Sequence, residues 1–173
     1  FLRALKSHLK QDYCPYFIVV ELLFDAEMPS RIPSSHFIKH VIVRGSDCHK
    51  DLCQKEAMLN IGASYAPDGI EHLMFLDCDV MSFDRSWFRK IRDKLNDDNV
   101  VQCFKTAVDE LDPEYSFVSL AYWCEHRSYN LHSNPGIGWA MSRLQYNTLG
   151  GFNPLFIEYS GDSAFVEEMI GID

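Results

Sequence analysis

Asp77-Cys78-Asp79 follows directly on the apolar run Leu73-Met74-Phe75-Leu76. Two carboxylates one residue apart at a strand end can share a hard divalent ion and its hydration shell, and such an ion can bridge the phosphates of a nucleotide. Aspartate is also an ordinary strand-to-turn residue, and an isolated Asp-x-Asp is more often no more than that. Lys55 and Asn60 lie upstream, where a lysine can reach a phosphate or simply face solvent. Downstream, Gly136 and Gly138 allow close backbone approach to a ligand, and Trp139 offers either a flat face for a sugar ring or an ordinary core aromatic. Asp162 can serve as a general base toward a hydroxyl or as a helix cap, and one residue can do both.

Several elements must position these groups. Phe1 to Leu9 reads as an amphipathic helix without a signal peptide's uninterrupted apolar region. Tyr16 to Phe24 and Phe37 to Val43 read as strands, the first nearly continuous in apolar and β-branched residues. Ser46 or Asp47 can cap a helix running to about Ala66, where Pro67-Asp68-Gly69 stops it. Leu73–Leu76 is a strand, Ser82 or Asp84 starts a helix carrying Trp87, Phe88, Ile91 and Leu95 on one face, and Val100 to Phe104 is a further strand. Residues 105–135 are rich in Tyr, Trp and His and read as loops with an irregular strand. Ser142 caps a short helix that Gly150-Gly151 ends. Strands apolar on both faces, alternating with helices, predict an α/β fold built on a mainly parallel sheet with helices on both faces. In such a sheet, acids just beyond a strand's carboxyl end emerge into the binding crevice.

The order of motifs adds a resemblance. Asn60-Ile61-Gly62 on a helix precedes Phe75-Leu76-Asp77-Cys78-Asp79-Val80. Val100-Val101-Gln102-Cys103-Phe104 follows, then Asn134-Pro135-Gly136-Ile137-Gly138-Trp139-Ala140-Met141, Leu149-Gly150-Gly151-Phe152 and Ser160-Gly161-Asp162. Over residues 45–171 this succession resembles the family 2-like glycosyltransferases of GT-A fold, in a bacterial and viral branch with Asp-x-Asp, Pro-Gly-x-x-Trp-Ala and Gly-Asp motifs. The resemblance implies a Rossmann-like nucleotide-diphospho-sugar transferase of hexosyltransferase type, working in carbohydrate biosynthesis. It implies that Asp79 ligates Mn2+ or Mg2+, that Asp77 contacts the ribose or the metal's water shell, and that Asp162 deprotonates the acceptor in an inverting reaction. Lys55 and Asn60 fall on the nucleotide side, and Gly136, Gly138 and Trp139 on the sugar side. The co-substrates implied are a UDP-sugar or similar donor and a carbohydrate or glycoconjugate acceptor. Ser163 and Ala164 depart from the acidic residue many members carry after the Asp162 position. The GT-A fold ordinarily begins with a strand and base-cradling loop, so the expectation is a single catalytic domain, 1–173, that lacks its first strand and binds nucleotide weakly.

Composition narrows the alternatives. With 173 residues, 47% of them hydrophobic, the chain is large enough for one substantial core. A net charge of −9 and no basic cluster argue against nucleic-acid binding. No apolar run approaches the ~20 residues needed to span a bilayer. The six cysteines lack the dense pattern of a disulfide scaffold, which points to a reducing, cytoplasmic setting. Cys48, His49 and Cys53 leave a structural zinc site one ligand short, and His126 and His132 read as surface or packing residues. Two further readings remain: a sugar-phosphate nucleotidyltransferase, for which no basic Gly-rich phosphate loop is visible, and a non-catalytic carbohydrate-binding relative.

Overall fold

A computed structural model describes residues 1–24, 29, 30, 32, 35–46, 54–126 and 133–155. Helix α1 (Leu2–His8) buries Ala4, Leu5 and His8, three positions that fall on one helical face. Strand β1 (Phe17–Leu23) pairs in parallel with β2 (Ile38–Arg44), in a register that sets Phe17 opposite Ile38 and Leu23 opposite Arg44. Helix α2 (Lys55–Ser64) lies against β1: a Cβ built on Gly62 would sit 3.3 Å from Val20 Cγ2. The stop at Pro67-Asp68-Gly69 is a turn in which Gly69 has φ +82°, a left-handed conformation that glycine adopts without steric cost. The part of the expected helix at 47–53 lies outside the described residues.

Strand β3 (His72–Leu76) leads into the turn at Asp77, and helix α3 (Trp87–Arg92) follows. Asp84 prepares that helix, since its carboxylate accepts from the Ser86 N–H and hydroxyl. Lys90 one turn on donates to it at 2.6 Å, and these contacts hold its pKa down at about 2. Strand β4 (Val100–Gln102) completes the part that sequence periodicity outlines. The irregular region is more ordered than expected, with β5 (Thr106–Val108), β6 (Ser116–Ser119), helix α4 (Leu120–His126) and β7 (Ser133–Asn134). Strand β8 (Gly138–Ser142) then runs into α5 (Arg143–Thr148), whose first turn is capped by Ser142 Oγ accepting from the Gln145 N–H at 3.0 Å.

The strands form three small sheets, and this corrects the expectation of a mainly parallel, Rossmann-like GT-A sheet with helices on both faces. Among the described residues the orders are β1-β2, β3-β8-β4 and β5-β6-β7, and the only parallel pairings are β1 with β2 and β6 with β7. Strand β8 is antiparallel to both neighbours, with Leu76 opposite Gly138 and Gln102 opposite Trp139. The expectation failed because apolarity on both faces reports a covered strand and carries no information on its direction. The most buried strand was also not counted as one, because its glycine and tryptophan read as ligand contacts. All five β8 residues are buried.

The core gathers on the β3-β8-β4 sheet. Leu73, Phe75, Trp139, Met141 and Phe152 pack with Leu59 of α2 and Tyr146 of α5. Ile91, Cys103 and Ala140 form a second cluster with Trp87 and Leu95. Truncating Met141, which is fully buried, to alanine would cost about 2–5 kcal/mol by the usual penalty for a core cavity. Among the described residues no helix is long and apolar enough to cross a membrane.

His8 joins α1 to this core. It is 5% exposed and stacks against Phe17 and Trp87, with Phe88 tilted beside it. Burial lowers its pKa, and the Val80 carbonyl that accepts from the ring opposes this weakly. As pH falls below about 6.5, the unfolded chain takes up this proton before the folded one, so stability declines there by at most about 1.4 kcal/mol per pH unit. We expect urea denaturation between pH 7 and pH 5 to show a shallower loss for His8→Phe than for wild type. An identical slope in the two proteins would remove His8 as the source.

Candidate active site

Asp77 stands at the junction of three elements. Its N–H donates to the Ile137 carbonyl at 2.8 Å, tying the end of β3 to the loop before β8. Its carboxylate receives the Lys55 ammonium at 2.7 Å, from the first residue of α2. Both side chains are 30% exposed, so the pair contributes at most ~1 kcal/mol and is easily exchanged for another partner. Asp79 is exposed beside it, and its carboxylate has no hydrogen-bond or ion-pair partner among the described residues. The pKa of the exposed Cys78 thiol between them is pushed up, first by partial desolvation and then by the negative charge of Asp79 and Asp77.

The loop from Asn134 to Ile137 forms the facing wall and is held from several directions. Asn134 Oδ1 accepts from the Gly136 N–H at 2.6 Å, and Trp139 Nε1 donates to the Pro135 carbonyl at 2.8 Å. Gln102, itself buried, donates to the Asn134 carbonyl at 2.8 Å and accepts from the Ala121 N–H at 3.0 Å. Its amide therefore ties β4, α4 and this loop together. Nothing in the spacing of Val100-Val101-Gln102 marks that role, because the partners are backbone groups 19 and 32 residues away. Ile137 adopts φ 73°, a strained conformation for a β-branched residue. The residue holding the Asp77 backbone is thus itself held out of its preferred geometry.

Other predicted site residues divide in two groups. Lys55, Asp77, Asp79 and Gly136 all line one groove of about 1350 Å³. Asn60, Gly138 and Trp139 instead do structural work. Asn60 Nδ2 donates to the Phe152 carbonyl at 2.6 Å, while its Oδ1 accepts from the Phe152 N–H at 2.9 Å and the Tyr146 hydroxyl at 2.7 Å. The side chain thereby holds the Gly150-Gly151 turn as a backbone would. A Cβ on Gly138 would meet the Phe75 carbonyl at 3.0 Å and Leu76 Cδ1 at 2.9 Å, so this glycine serves strand pairing. Trp139 is 3% exposed and packs in the core, which removes it as a sugar-stacking face.

Asp162, His132 and the Cys48-His49-Cys53 cluster lie outside the described residues. His126 stacks on Tyr122 of its own helix and contacts the Tyr122 carbonyl. Among the described residues no three His, Cys, Asp or Glu side chains converge as a metal cage. Magnesium-type sites commonly use one or two carboxylates and complete their shell with water and substrate phosphate. Asp79 suits that use. Asp77 suits it less, since the Lys55 charge on its carboxylate would repel a cation there. No protein-family model, curated protein or solved structure matches this chain.

Two substitutions test this division. Asn60→Ala should cost about 2–4 kcal/mol in chemical denaturation, because it strands the buried partners of three hydrogen bonds. Gly138→Ala should cost about 1–3 kcal/mol, since a backbone oxygen must move to admit the methyl group. A cost below ~0.5 kcal/mol for Asn60→Ala would show that the Phe152 turn is held by something else.

Proposed function

We propose that this chain is a metal-dependent glycosyltransferase that moves a sugar from a nucleotide-sugar donor, a UDP-sugar or similar, to an acceptor hydroxyl with inversion. The observation that carries the reading is an Asp79 carboxylate, with no partner among the described residues, beside the Lys55–Asp77 ion pair on the lining of one groove. The two charges divide the work. Asp79 provides a hard oxygen for a divalent ion, and Lys55 provides a cation within reach of the same phosphates. A divalent ion bound at Asp79 would stabilise negative charge on the departing diphosphate. Lys55, in a partly exposed pair with Asp77, can turn to a phosphate, and the Asp77 carboxylate can accept from a ribose hydroxyl. The acceptor's proton goes to a carboxylate, the role the motif order suggests for Asp162.

The test is donor hydrolysis and transfer by the full chain across a panel of nucleotide sugars with Mn2+, comparing wild type with Asp79→Ala, Lys55→Ala and Asp162→Ala. Asp79→Ala should abolish the metal requirement together with turnover, and Asp162→Ala should lower kcat by about 10²–10⁴. Lys55→Ala should raise KM for the donor more than it lowers kcat. Turnover that survives Asp79→Ala would sink the metal assignment. Sugar binding with no turnover on any donor would favour a non-catalytic carbohydrate-binding protein, and release of pyrophosphate from a nucleoside triphosphate and a sugar phosphate would favour a nucleotidyltransferase.

A further inference from the structure

Strand β8 begins at a tight reversal of the chain. The Gly138 N–H donates to the Gly136 carbonyl at 3.0 Å, two residues back, and Ile137 between them has φ 73°. A bond of that span around a positive φ is a γ-turn of the strained kind, rare in proteins and costly for a β-branched residue. Groups outside the turn must hold it. The Gly136 carbonyl also accepts from Gln102 Nε2 at 3.4 Å, and the same nitrogen donates to the Asn134 carbonyl at 2.8 Å. Gln102 is buried, and its Oε1 accepts from the Ala121 N–H in the first turn of α4. With both N–H groups and the oxygen engaged inside the protein, this side chain acts on backbone rather than on a ligand. On its other side the turn meets the acids. The Ile137 carbonyl accepts from the Asp77 N–H at 2.8 Å, and the Asp77 carbonyl accepts from the Val80 N–H at 3.3 Å, closing the bend that carries Cys78 and Asp79.

We propose that Gln102 is a positioning residue for the acidic site: by fixing the Asn134 and Gly136 carbonyls it keeps the Ile137 turn closed, and the closed turn sets the Asp77–Val80 bend so that Asp79 can take a divalent ion. This role rests on the reading of Asp79 as the metal ligand and names the group that prepares it. Without the Gln102 donor, Ile137 falls back to negative φ, and its carbonyl turns away from the Asp77 N–H. The loss stays local, because the Gly138 carbonyl is held separately by the Cys103 N–H at 3.0 Å and β8 remains paired with β3 and β4. The bend then samples several forms, and each bound ion must select one. Groups that orient a metal ligand from behind account for about 10–100-fold in affinity.

Two measurements on the full chain test this without reference to activity: hydrogen exchange of the Asp77 amide in the absence of metal, and affinity for Mn2+ alone, read from water-proton relaxation. Gln102→Met keeps the length of the side chain and removes its three hydrogen bonds. It should speed Asp77 exchange by at least ~10-fold relative to the amides paired between β3 and β8, and weaken Mn2+ binding by about 10–100-fold. Adding Ile137→Gly to Gln102→Met should bring both back to within ~3-fold of wild type, because glycine holds a positive φ without steric cost. Lost stability with Asp77 exchange and Mn2+ affinity unmoved, or no recovery with glycine, would overturn the proposal. If Gln102→Met does not fold, exchange in the wild type decides. The Asp77 and Gly138 amides and the Gln102 side-chain amide should then open together, with protection equal within ~3-fold and below that of the sheet, and independent opening would overturn the proposal. Asp79→Ala separates the two readings, since it should lose Mn2+ while Asp77 stays protected. Mn2+ binding absent from wild type, or unchanged in Asp79→Ala, would overturn the metal reading and the role of Gln102 toward the ion with it.

Discussion

The insertion of β8 between β3 and β4 is the constraint from which the rest of the described structure follows. It aligns Leu73 and Phe75 with Met141 and Trp139 on one face and turns Ala140 toward Ile91 and Cys103 on the other. One strand thereby joins the two hydrophobic clusters. The close approach depends on Gly138, where any side chain would press on the Phe75 carbonyl. It also fixes where the Asn134–Ile137 loop must run, and hence what faces Asp77.

Two amide side chains, buried Gln102 beside the candidate site and half-buried Asn60 at the Phe152 turn, hold irregular backbone in place. Gln102 and Asn60 each satisfy several main-chain groups in segments distant in sequence. Such side chains behave as pieces of secondary structure, since a buried carbonyl or N–H must be paired wherever the chain turns irregularly. The strained Ile137 is the counterpart. Its left-handed backbone is maintained because the pairings around it, including that from the Asp77 N–H, outweigh a local penalty of about 1–3 kcal/mol. Charge is arranged differently: Lys55 meets Asp77 in a partly exposed pair, and Asp79 beside it is exposed.

Much of the local structure was legible in residue order. The apolar runs at 17–23 and 72–76, the Pro67-Asp68-Gly69 stop, the Ser142 cap and the glycine end of α5 are all decided within a few residues, where propensity and capping dominate. Lys55, Asp77, Asp79 and Gly136 line one groove, a convergence that residue order did not fix because it depends on where α2 and the loop before β8 meet the end of β3. The assignments of Asn60, Gly138 and Trp139 to ligands were not supported by their positions. A glycine, an amide or an indole suits a ligand and a crowded backbone equally well, so residue type alone does not separate the two uses.

Residue order therefore settled where β1 to β4, α1, α2, α3, α5 and the acidic pair lie, because hydrophobic periodicity and turn chemistry act over short separations, but it did not reveal β8 or the elements within 105–135. Strand direction, the division into three sheets and the burial of Trp139 were settled in three dimensions. Each depends on which distant segment satisfies a strand's edge. Gly138–Ser142 could enter between His72–Leu76 and Val100–Gln102 only once all three were brought together, and its reversed direction overturned the parallel sheet that their apolar faces suggested.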